Sequence, residues 1–254
     1  MIQISDLVLE VTRKCNLQCA HCLRGKAQRM SMSNAVLFKA MGSIESIGTL
    51  TLTGGEPSLA PEVLEYLFEN LYMHKIQVGS FYIVTNGMPH NRFRRFLTAV
   101  ERLYGWCDSQ GSCMLTVSRD QYHPFNQNPG RYLRQFEIRD EHGGRHWEGE
   151  YPPYFYPGDR NVSIHQVIGE GRAVETQAGF EPQEQQTPWE VHTDGDYVIE
   201  PVVYVSANGN VTSSCNMSFE RLDREAKGNV LTKYLPDIIE SYCTIQEEVK
   251  EEVA

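Results

Sequence analysis

The stretch from Leu7 to Arg24, L-V-L-E-V-T-R-K-C-N-L-Q-C-A-H-C-L-R, joins a short apolar run to a loop with three cysteines. Leu7–Thr12 predicts a first strand that ends at this loop. Cys15, Cys19 and Cys22 have the spacing C-x3-C-x2-C. Three thiolates this close can bind one metal centre and leave a fourth coordination position open, whereas structural zinc sites and iron–sulfur clusters usually take four protein ligands. The alternative is a chance group of buried or surface thiols.

Length and composition are those of an ordinary globular chain. With 254 residues, 41% of them apolar and 22% charged, it can form one large α/β domain or two smaller ones. We see no apolar run long enough to cross a membrane and no secretory signal at the first residues. We therefore expect a cytoplasmic protein with no membrane partner, in which reduced, clustered cysteines serve metal binding or catalysis.

The charge of the chain argues against nucleic acid as a partner. The formal net charge is −10, and phosphate backbones are bound mainly through lysine and arginine. Arg92, Arg94 and Arg95 lie close together in the sequence, but their helical spacing predicts a solvated helix face.

Strands and helices are predicted to alternate along the chain. Strands are predicted at Leu7–Thr12, Thr49–Thr53, Phe81–Thr85, Cys113–Ser118 and Asn161–Ile168. Helices are predicted from apolar stripes at Leu37, Ala40, Met41, Ile44 and Ile47, at Val63, Leu64, Leu67 and Leu71, at Phe93, Phe96, Leu97, Val100 and Leu103, and over Tyr132–Ile138. The alternation favours parallel βαβ units in a barrel or an open sheet, and both architectures bind ligands at the carboxyl ends of the strands.

Other segments depart from this alternation. His142–Asp159 is rich in aromatic residues, Pro and Gly and predicts a lid or binding loop, and the polar Gly169–Asp196 also predicts a loop. Val202–Ser206 and Val211–Ser214 flank an Asn-Gly pair, which predicts a hairpin. The tail Leu231–Val249 is predicted to be helical.

Unusual residues follow the predicted strands at their carboxyl ends. Gly54-Gly55-Glu56 follows the second strand, Asn86 the third, and Ser118 with Asp120 the fourth. Since the carboxyl ends of parallel strands meet at one edge of a sheet, these residues are expected to lie near the cysteine loop. This coincidence favours a functional site over a chance group of thiols.

Together these residues resemble the motifs of the radical S-adenosylmethionine (SAM) superfamily. The resemblance rests on E-V-T-R-K-C-N-L-Q-C-A-H-C (10–22) and T-L-T-G-G-E-P (51–57), and it covers the chain from about Leu7 to Ile168 and, more weakly, the rest. It implies an α/β fold, a partial (β/α)6 TIM-like barrel over residues 1–200. A C-terminal extension over residues 201–254, a hairpin and a helix, would pack on this barrel.

The resemblance also implies which residues bind cofactors. Cys15, Cys19 and Cys22 would bind three irons of a 4Fe–4S cluster, and SAM would chelate the fourth. Gly54, Gly55 and Glu56 would receive the methionine amino group. Five other residues are candidates for SAM binding. His21 would lie against the adenine, and Asn86, Ser118 and Asp120 would bind SAM from the ends of strands. Arg172 belongs to the segment G-E-G-R-A after the fifth strand. Local roles are the alternatives: a polar loop residue for His21, a strand-end cap for Ser118, a solvent or substrate contact for Asp120, and an ion pair for Arg172.

The implied reaction is radical chemistry on a substrate. A reduced cluster cleaves SAM to methionine and a 5′-deoxyadenosyl radical, which abstracts hydrogen from a peptide, a protein side chain or a small metabolite. An oxygen-sensitive enzyme and an electron donor, flavodoxin or ferredoxin, are implied as well. One alternative is a family member that modifies nucleosides or nucleotides. Another is a non-catalytic iron–sulfur or zinc-binding module, which would have no use for the Gly-Gly-Glu turn.

The C-terminal part resembles the start of an extension that, in peptide-modifying members, binds further clusters through many cysteines. Here Cys215 stands at the expected place and Cys243 follows far downstream, while Cys107 and Cys113 precede the fourth strand. We therefore expect no second cluster. Cys215 is a candidate catalytic residue, as a hydrogen-atom donor to a substrate radical; the alternative is a small buried apolar residue.

Overall fold

A computed structural model describes residues 1–118, 120, 122–123, 152–157, 167–179, 183–192 and 198–246. Its strands form one sheet and are β1 Ile2–Thr12, β2 Ile44–Gly54, β3 Gln77–Thr85, β4 Met114–Val117, β5 Phe155–Pro157, β6 Trp189–His192, β7 Val198–Glu200, β8 Val203–Val205, β9 Asn210–Thr212, β10 Gly228–Asn229 and β11 Cys243–Gln246. Its helices are α1 Asn34–Met41, α2 Pro61–His74, α3 Phe93–Trp106, α4 Arg172–Glu175, α5 Phe219–Arg224 and α6 Leu235–Glu240.

One half of the sheet is the parallel array predicted from the sequence. Strands β1 to β5 are neighbours in chain order and all run parallel. Helices α1, α2 and α3 provide the first three crossovers, which parallel neighbours require. The sheet does not close on itself, so the α/β fold with a partial TIM-like barrel is confirmed.

The other half of the sheet lies beyond β1 and is built from later residues. β8 and β7 both pair parallel with β1, at different levels along that strand. β8 continues through antiparallel β9 and β10, whereas β7 continues through antiparallel β6 to β11. The predicted hairpin is thus confirmed as β8 and β9, with Gly209 at a φ of +90° in its turn. The predicted boundary after residue 200 falls between β7 and β8 and stays a prediction.

The core lies between the parallel strands and the three long helices. Leu7 and Leu9 of β1 and their partners Leu50 and Leu52 of β2 are all fully buried. The helices cover this face with apolar stripes, as α3 does with Phe96 and its neighbours. The carboxyl ends of the strands therefore stand at one edge, where polar residues gather.

Several boundaries differ from the prediction. Ile44 and Ile47 do not continue α1, because the helix ends at Gly42 and these β-branched residues begin β2. Phe155–Pro157 is a strand inside the segment predicted as a lid, because it pairs with β4.

The region predicted as a polar loop, Gly169–Asp196, holds α4 and β6. The tail predicted as one helix holds α6 and then β11, which pairs with β6. The strands β6 and β11 were missed because they form by pairing between residues that are far apart in the sequence.

Two predicted elements lie wholly or mostly outside the described residues. They are the helix over Tyr132–Ile138 and the strand over Asn161–Ile168, of which the structure describes the last two positions. Among the helices that the structure describes, none combines the length and apolar character that a membrane crossing needs.

Candidate cofactor site

The cysteine loop follows β1 and folds back beside its end, where Arg13 N–H donates to the Met30 carbonyl (2.9 Å). The thiols of Cys15, Cys19 and Cys22 are half-buried and line one cavity. Burial raises the pKa of Cys15 to about 11, and burial also raises the pKa of Cys22. These two thiols therefore keep their protons at neutral pH unless a metal replaces them.

The Gly54-Gly55-Glu56 turn packs directly on the start of this loop. Gly55 N–H donates to the Thr12 carbonyl (2.7 Å), and Glu56 N–H donates to the Lys14 carbonyl (2.8 Å). A Cβ atom on Gly54 would lie 2.0 Å from the Thr12 oxygen, and one on Gly55 would lie 2.2 Å from the Lys14 oxygen. The glycines are therefore required by the approach of two backbones, and their contact with the methionine amino group of SAM remains a prediction.

Glu56 is 1% exposed and is held by neutral groups alone. Its Oε1 accepts hydrogen bonds from the Ser58 amide (3.0 Å), the Ser58 hydroxyl (2.6 Å) and the Thr85 hydroxyl (2.7 Å), and its Oε2 accepts one from the Asn86 amide (2.7 Å). Burial raises the pKa of Glu56, although these hydrogen bonds oppose the shift. No cation among the described residues pairs with it, so the site can accept a cationic group.

Asn86 and Ser118 lie at the ends of β3 and β4 and line the same cavity as the cysteines. Asn86 Nδ2 donates to Asn16 Oδ1 (2.8 Å) and lies 4.0 Å from Cys15 Sγ. The Ser118 amide donates to the Thr85 carbonyl (2.9 Å). Both residues stand beside the cysteine loop, and their contact with SAM remains a prediction.

His21, Asp120 and His123 come together beside Cys19. His123 Nδ1 lies 2.8 Å from Asp120 Oδ1, and His123 Nε2 lies 3.6 Å from Cys19 Sγ. The ring of His21 stacks on Tyr122, with ring centroids 4.0 Å apart. One ligand atom from each of His21, Asp120 and His123 lies within 4.8 Å of the others, a geometry that could also hold a metal ion.

The charges in this group depend on one another. Burial would lower the pKa of His123, but its hydrogen bonds with Asp120 and Cys19 raise it to about 9. Burial would raise the pKa of Asp120, but His123 and the Tyr122 amide hold it below its ordinary value. Burial lowers the pKa of His21. Asp120, predicted to bind SAM, thus pairs with His123, which sequence reasoning missed although Asp-x-x-His at a strand end was a readable signal.

The segment around Arg172 packs on the cysteine loop from another side. Arg172 N–H donates to the Cys22 carbonyl (2.9 Å), and a Cβ atom on Gly171 would lie 2.2 Å from the Leu23 oxygen. Arg172 Nε is buried and has no hydrogen-bond partner among the described residues. Arg172 lines a second cavity of about 350 Å³, which includes the three cysteines and Gly55 but not Glu56. Its contact with SAM remains a prediction.

The first cavity has a volume of about 400 Å³ and lies between the cysteines and the Gly-Gly-Glu turn. Part of its wall is formed by uncharged side chains, namely Val8, Thr51, Thr53, Tyr82 and Val84, while Arg24, Glu56 and His123 also line it. Cys215 and Asn216 also line this cavity. Burial raises the pKa of Cys215, which keeps it a neutral thiol. Elsewhere Cys107 and Cys113 are buried beside each other, and Cys243 lies on β11.

Two arginines, one buried and one half-buried, connect C-terminal residues to the cysteine loop, and sequence reasoning missed these contacts. Arg13 is completely buried and pairs with Glu10 (2.6 Å) and with both carboxylate oxygens of Asp223 (2.7 and 2.8 Å). Arg24 donates to the Met217 carbonyl (2.8 Å) and lies over the ring of Tyr204. Since Asp223 and Met217 lie about 200 positions downstream, their pairing with the loop has no local signal.

The residues at the loop fit a 4Fe–4S cluster. Three cysteines give a soft sulfur donor set, which suits iron–sulfur clusters or zinc. The half-buried, protonated thiols of Cys15 and Cys22 can exchange their protons for metal. Across the cavity, the uncompensated carboxylate of Glu56 suits the ammonium group of a ligand on the fourth iron.

Comparisons with known proteins bear on the fold. No family model matches the sequence. Over 91 residues it is 30% identical to GTP 3′,8-cyclase of Clostridium acetobutylicum, and the match covers 34% of this chain and 28% of that protein. The match therefore spans less than a third of this curated relative.

Two solved structures share the architecture. The crystal structure of BtrN in complex with AdoMet and 2-DOIA matches with a TM-score of 0.51 and 14% identity over 94% of this chain and 82% of BtrN. Native anSMEcpe with bound AdoMet matches with a TM-score of 0.50 and 15% identity over the same shares of the two chains. These proteins are radical SAM enzymes. The chain therefore has the fold of the radical SAM enzymes with the cysteine motif at the end of its first strand, and the resemblance seen in its sequence is confirmed.

Proposed function

We propose that this chain is a radical SAM enzyme that acts on a peptide, a protein side chain or a small metabolite. The observation that carries the proposal is the placement of three half-buried thiols and one uncompensated buried carboxylate, Glu56, around a single cavity. The thiols can hold metal, and the carboxylate can hold a cation beside it. A passive metal site would need the thiols alone.

When bound, a reduced 4Fe–4S cluster supplies the electron that cleaves SAM and yields a 5′-deoxyadenosyl radical able to abstract hydrogen from a substrate. The residues of the chain bind and orient the groups for this reaction. Cys15, Cys19 and Cys22 would hold three of the irons. Glu56 would accept hydrogen bonds from the methionine ammonium, and the ring of His21, stacked on Tyr122, would offer a flat surface for the adenine.

The wall of the cavity supports an uncharged substrate group. Val8, Thr51, Thr53, Tyr82 and Val84 carry no charge. Two cations also line the cavity, but the guanidinium of Arg24 already donates to the Met217 carbonyl and lies over Tyr204, and His123 pairs with Asp120. A nucleoside triphosphate would need free cations for its phosphates. Nucleotide modification remains the second candidate, because GTP 3′,8-cyclase is a curated relative of part of this chain.

The reaction is tested by anaerobic reconstitution with iron and sulfide. We expect a brown protein with about four irons per chain that forms 5′-deoxyadenosine from SAM and dithionite. Cys19→Ala should lose the iron and the activity together. Cys243→Ser is the matched control, because Cys243 is also half-buried but lies on β11, and it should keep both.

Other outcomes of the same experiment would point elsewhere. A colourless protein that binds zinc and leaves SAM intact would support the non-catalytic module. An electron donor such as flavodoxin or ferredoxin should replace dithionite in the assay, because the cleavage consumes one electron. Formation of 5′-deoxyadenosine that rises with GTP, and not with peptides or neutral metabolites, would favour the second candidate.

Cys215 is part of the proposal as a hydrogen-atom donor to the substrate radical. Its neutral thiol lines the cavity, which is the form and the place that this role requires. Once a substrate is known, Cys215→Ala should still form 5′-deoxyadenosine but should change the product. If the variant makes the same product in the same yield, Cys215 is a packing residue.

A further inference from the structure

A chain of hydrogen bonds leads from Glu56 to a histidine outside the cavity. The Ser58 hydroxyl lies 2.6 Å from Glu56 Oε1 and 2.8 Å from His90 Nε2. The Arg92 amide donates to His90 Nδ1 (3.2 Å). His90 is half-buried and is absent from the residues that line the cavity. It reaches Glu56 through Ser58 alone.

The donors and acceptors of this chain allow one arrangement of protons. Because the Arg92 amide is a donor, His90 Nδ1 must accept, so the proton of the neutral ring is on Nε2. Burial and the neighbouring Arg92 lower the pKa of His90, which favours the neutral ring. His90 therefore donates to the Ser58 oxygen, and the one hydroxyl hydrogen of Ser58 must point to Glu56.

His90 is itself fixed in place from the side of α2. The Arg92 guanidinium donates to the Leu59 carbonyl (2.6 Å) and pairs with Glu62 at the start of that helix. The ring of His90 meets the edge of Phe93. The turn between β3 and α3 is thus docked on the segment that follows the Gly-Gly-Glu turn.

The arrangement leaves one oxygen of Glu56 with spare capacity. Oε1 accepts three hydrogen bonds and is saturated, whereas Oε2 accepts one among the described residues, from Asn86. If Ser58 turned its hydroxyl hydrogen away, Oε1 would compete for the ligand and the carboxylate could rotate. A carboxylate that is already fixed does not pay the entropy cost of becoming ordered when the ligand binds.

We propose that His90 is a positioning residue for SAM, which acts through Ser58 to hold the Glu56 carboxylate in the orientation that receives the ammonium. This inference rests on the proposed function. It concerns the affinity for SAM and leaves the iron content of the protein unchanged.

The test is a double-mutant cycle in the affinity for SAM, measured by equilibrium dialysis on cluster-loaded protein without reductant. His90→Leu should weaken binding by about 5- to 10-fold, the value of one hydrogen bond between neutral groups. In a Ser58→Ala background the same change should cost less than about 2-fold, because its path to Glu56 is already cut. An equal loss in both backgrounds would overturn the relay.

Two further variants separate positioning from a merely structural role. His90→Gln places an amide N–H near the position of Nε2 and should recover wild-type affinity to within about 2-fold. His74→Leu is the matched control, since His74 is equally half-buried but lies at the end of α2, and it should change nothing. If His90→Gln is as weak as His90→Leu, the hydrogen bond is not what matters.

A second ligand identifies the group that Glu56 receives. 5′-Methylthioadenosine lacks the ammonium, so its affinity should be the same in the wild type and in His90→Leu. An equal loss for both ligands would assign the effect to the shape of the cavity and overturn the inference. A wild-type protein that holds iron but binds no SAM would instead defeat the proposed function, and the inference with it.

Discussion

Two buried charged residues flank the cysteine loop, and only one of them has partners of opposite charge within the protein. Arg13 meets two carboxylates, Glu10 and Asp223, so its charge is balanced within the protein. Glu56 is just as buried but meets only neutral donors. A buried charge that is paired within the protein has a structural role. A buried charge without such a partner lowers the stability of the fold and is suited to binding a ligand of opposite charge.

The largest test of this difference is to neutralise Glu10 and Glu56 in separate variants and to compare their stability. Glu10→Gln leaves Arg13 with Asp223 as its remaining partner and turns an amide N–H towards a buried donor, the Tyr204 hydroxyl or the Ala207 N–H, so the free energy of unfolding should fall by about 3 kcal/mol. Glu56→Gln removes an unbalanced charge but turns an amide N–H towards a buried donor such as the Asn86 N–H, so that free energy should fall by only about 1–2 kcal/mol. Both are measured by urea denaturation of the metal-free chain.

The affinity for SAM should respond in the reverse order. Glu56→Gln should weaken binding by about 100-fold, because the ammonium loses its charged acceptor. Glu10→Gln, in the fraction that remains folded, should weaken it much less. A Glu56→Gln variant that unfolds more easily than Glu10→Gln would show that Glu56 is the structural charge.

A smaller effect is expected from the backbone contact on the Glu56 side. Gly55→Ala would place a methyl group 2.2 Å from the Lys14 carbonyl oxygen, so one of the two backbones must move. We expect a loss of about 1–3 kcal/mol in the free energy of unfolding and a lower iron content after reconstitution. Gly105→Ala is the control, because a Cβ atom there meets nothing within 4 Å; a similar loss in both variants would contradict the contact.

The smallest expected effect is the change of stability with pH that arises from Asp223, the partly exposed partner of Arg13. Burial would raise the pKa of Asp223, but hydrogen bonds from Arg13 and from two asparagines lower it. The resulting stability is present above the ordinary carboxyl pKa of about 4 and is lost as the pH falls below it. Because the side chain of Asp223 is 38% exposed, we expect only about 1 kcal/mol after screening.

Asp223→Asn isolates this contribution. Between pH 5 and pH 3 the wild type should lose about 1 kcal/mol more than the variant in urea denaturation. The exposed Asp108 offers the control, since Asp108→Asn should follow the wild type. Parallel pH curves for the wild type and Asp223→Asn would show that the ion pair adds nothing to stability.

The sequence predicted what depends on neighbouring residues. The strand at Leu7–Thr12, the stripe of α3 and the Asn-Gly hairpin all have periodic or turn signals that local sequence carries. The position of the Gly-Gly-Glu turn next to the cysteine loop followed from parallel strand order alone. These parts of the fold and the site were readable because β1, β2 and their crossover follow one another directly.

What depends on distant residues could not be predicted. Phe155–Pro157 lies among prolines and becomes a strand only through its pairing with β4. β6 and β11 pair across about 50 residues of chain. In the site, the bonds from Arg13 to Asp223 and from Arg24 to the Met217 carbonyl have no local signal, whereas the pair of Asp120 and His123 could have been read from Asp-x-x-His.

The contacts of the cysteine loop also determine when, during synthesis of the chain, the surroundings of its thiols can be completed. Arg13 binds Asp223, which is synthesised 210 positions later, and Arg24 binds the carbonyl of Met217, which is synthesised 193 positions later. A chain leaving the ribosome can pair β1 with β2 early, but it cannot complete the surroundings of its thiols until most of its length has been made. Metal insertion therefore belongs to the finished chain, and a product that ends before Met217 would retain the first parallel strands and lack a closed cysteine loop.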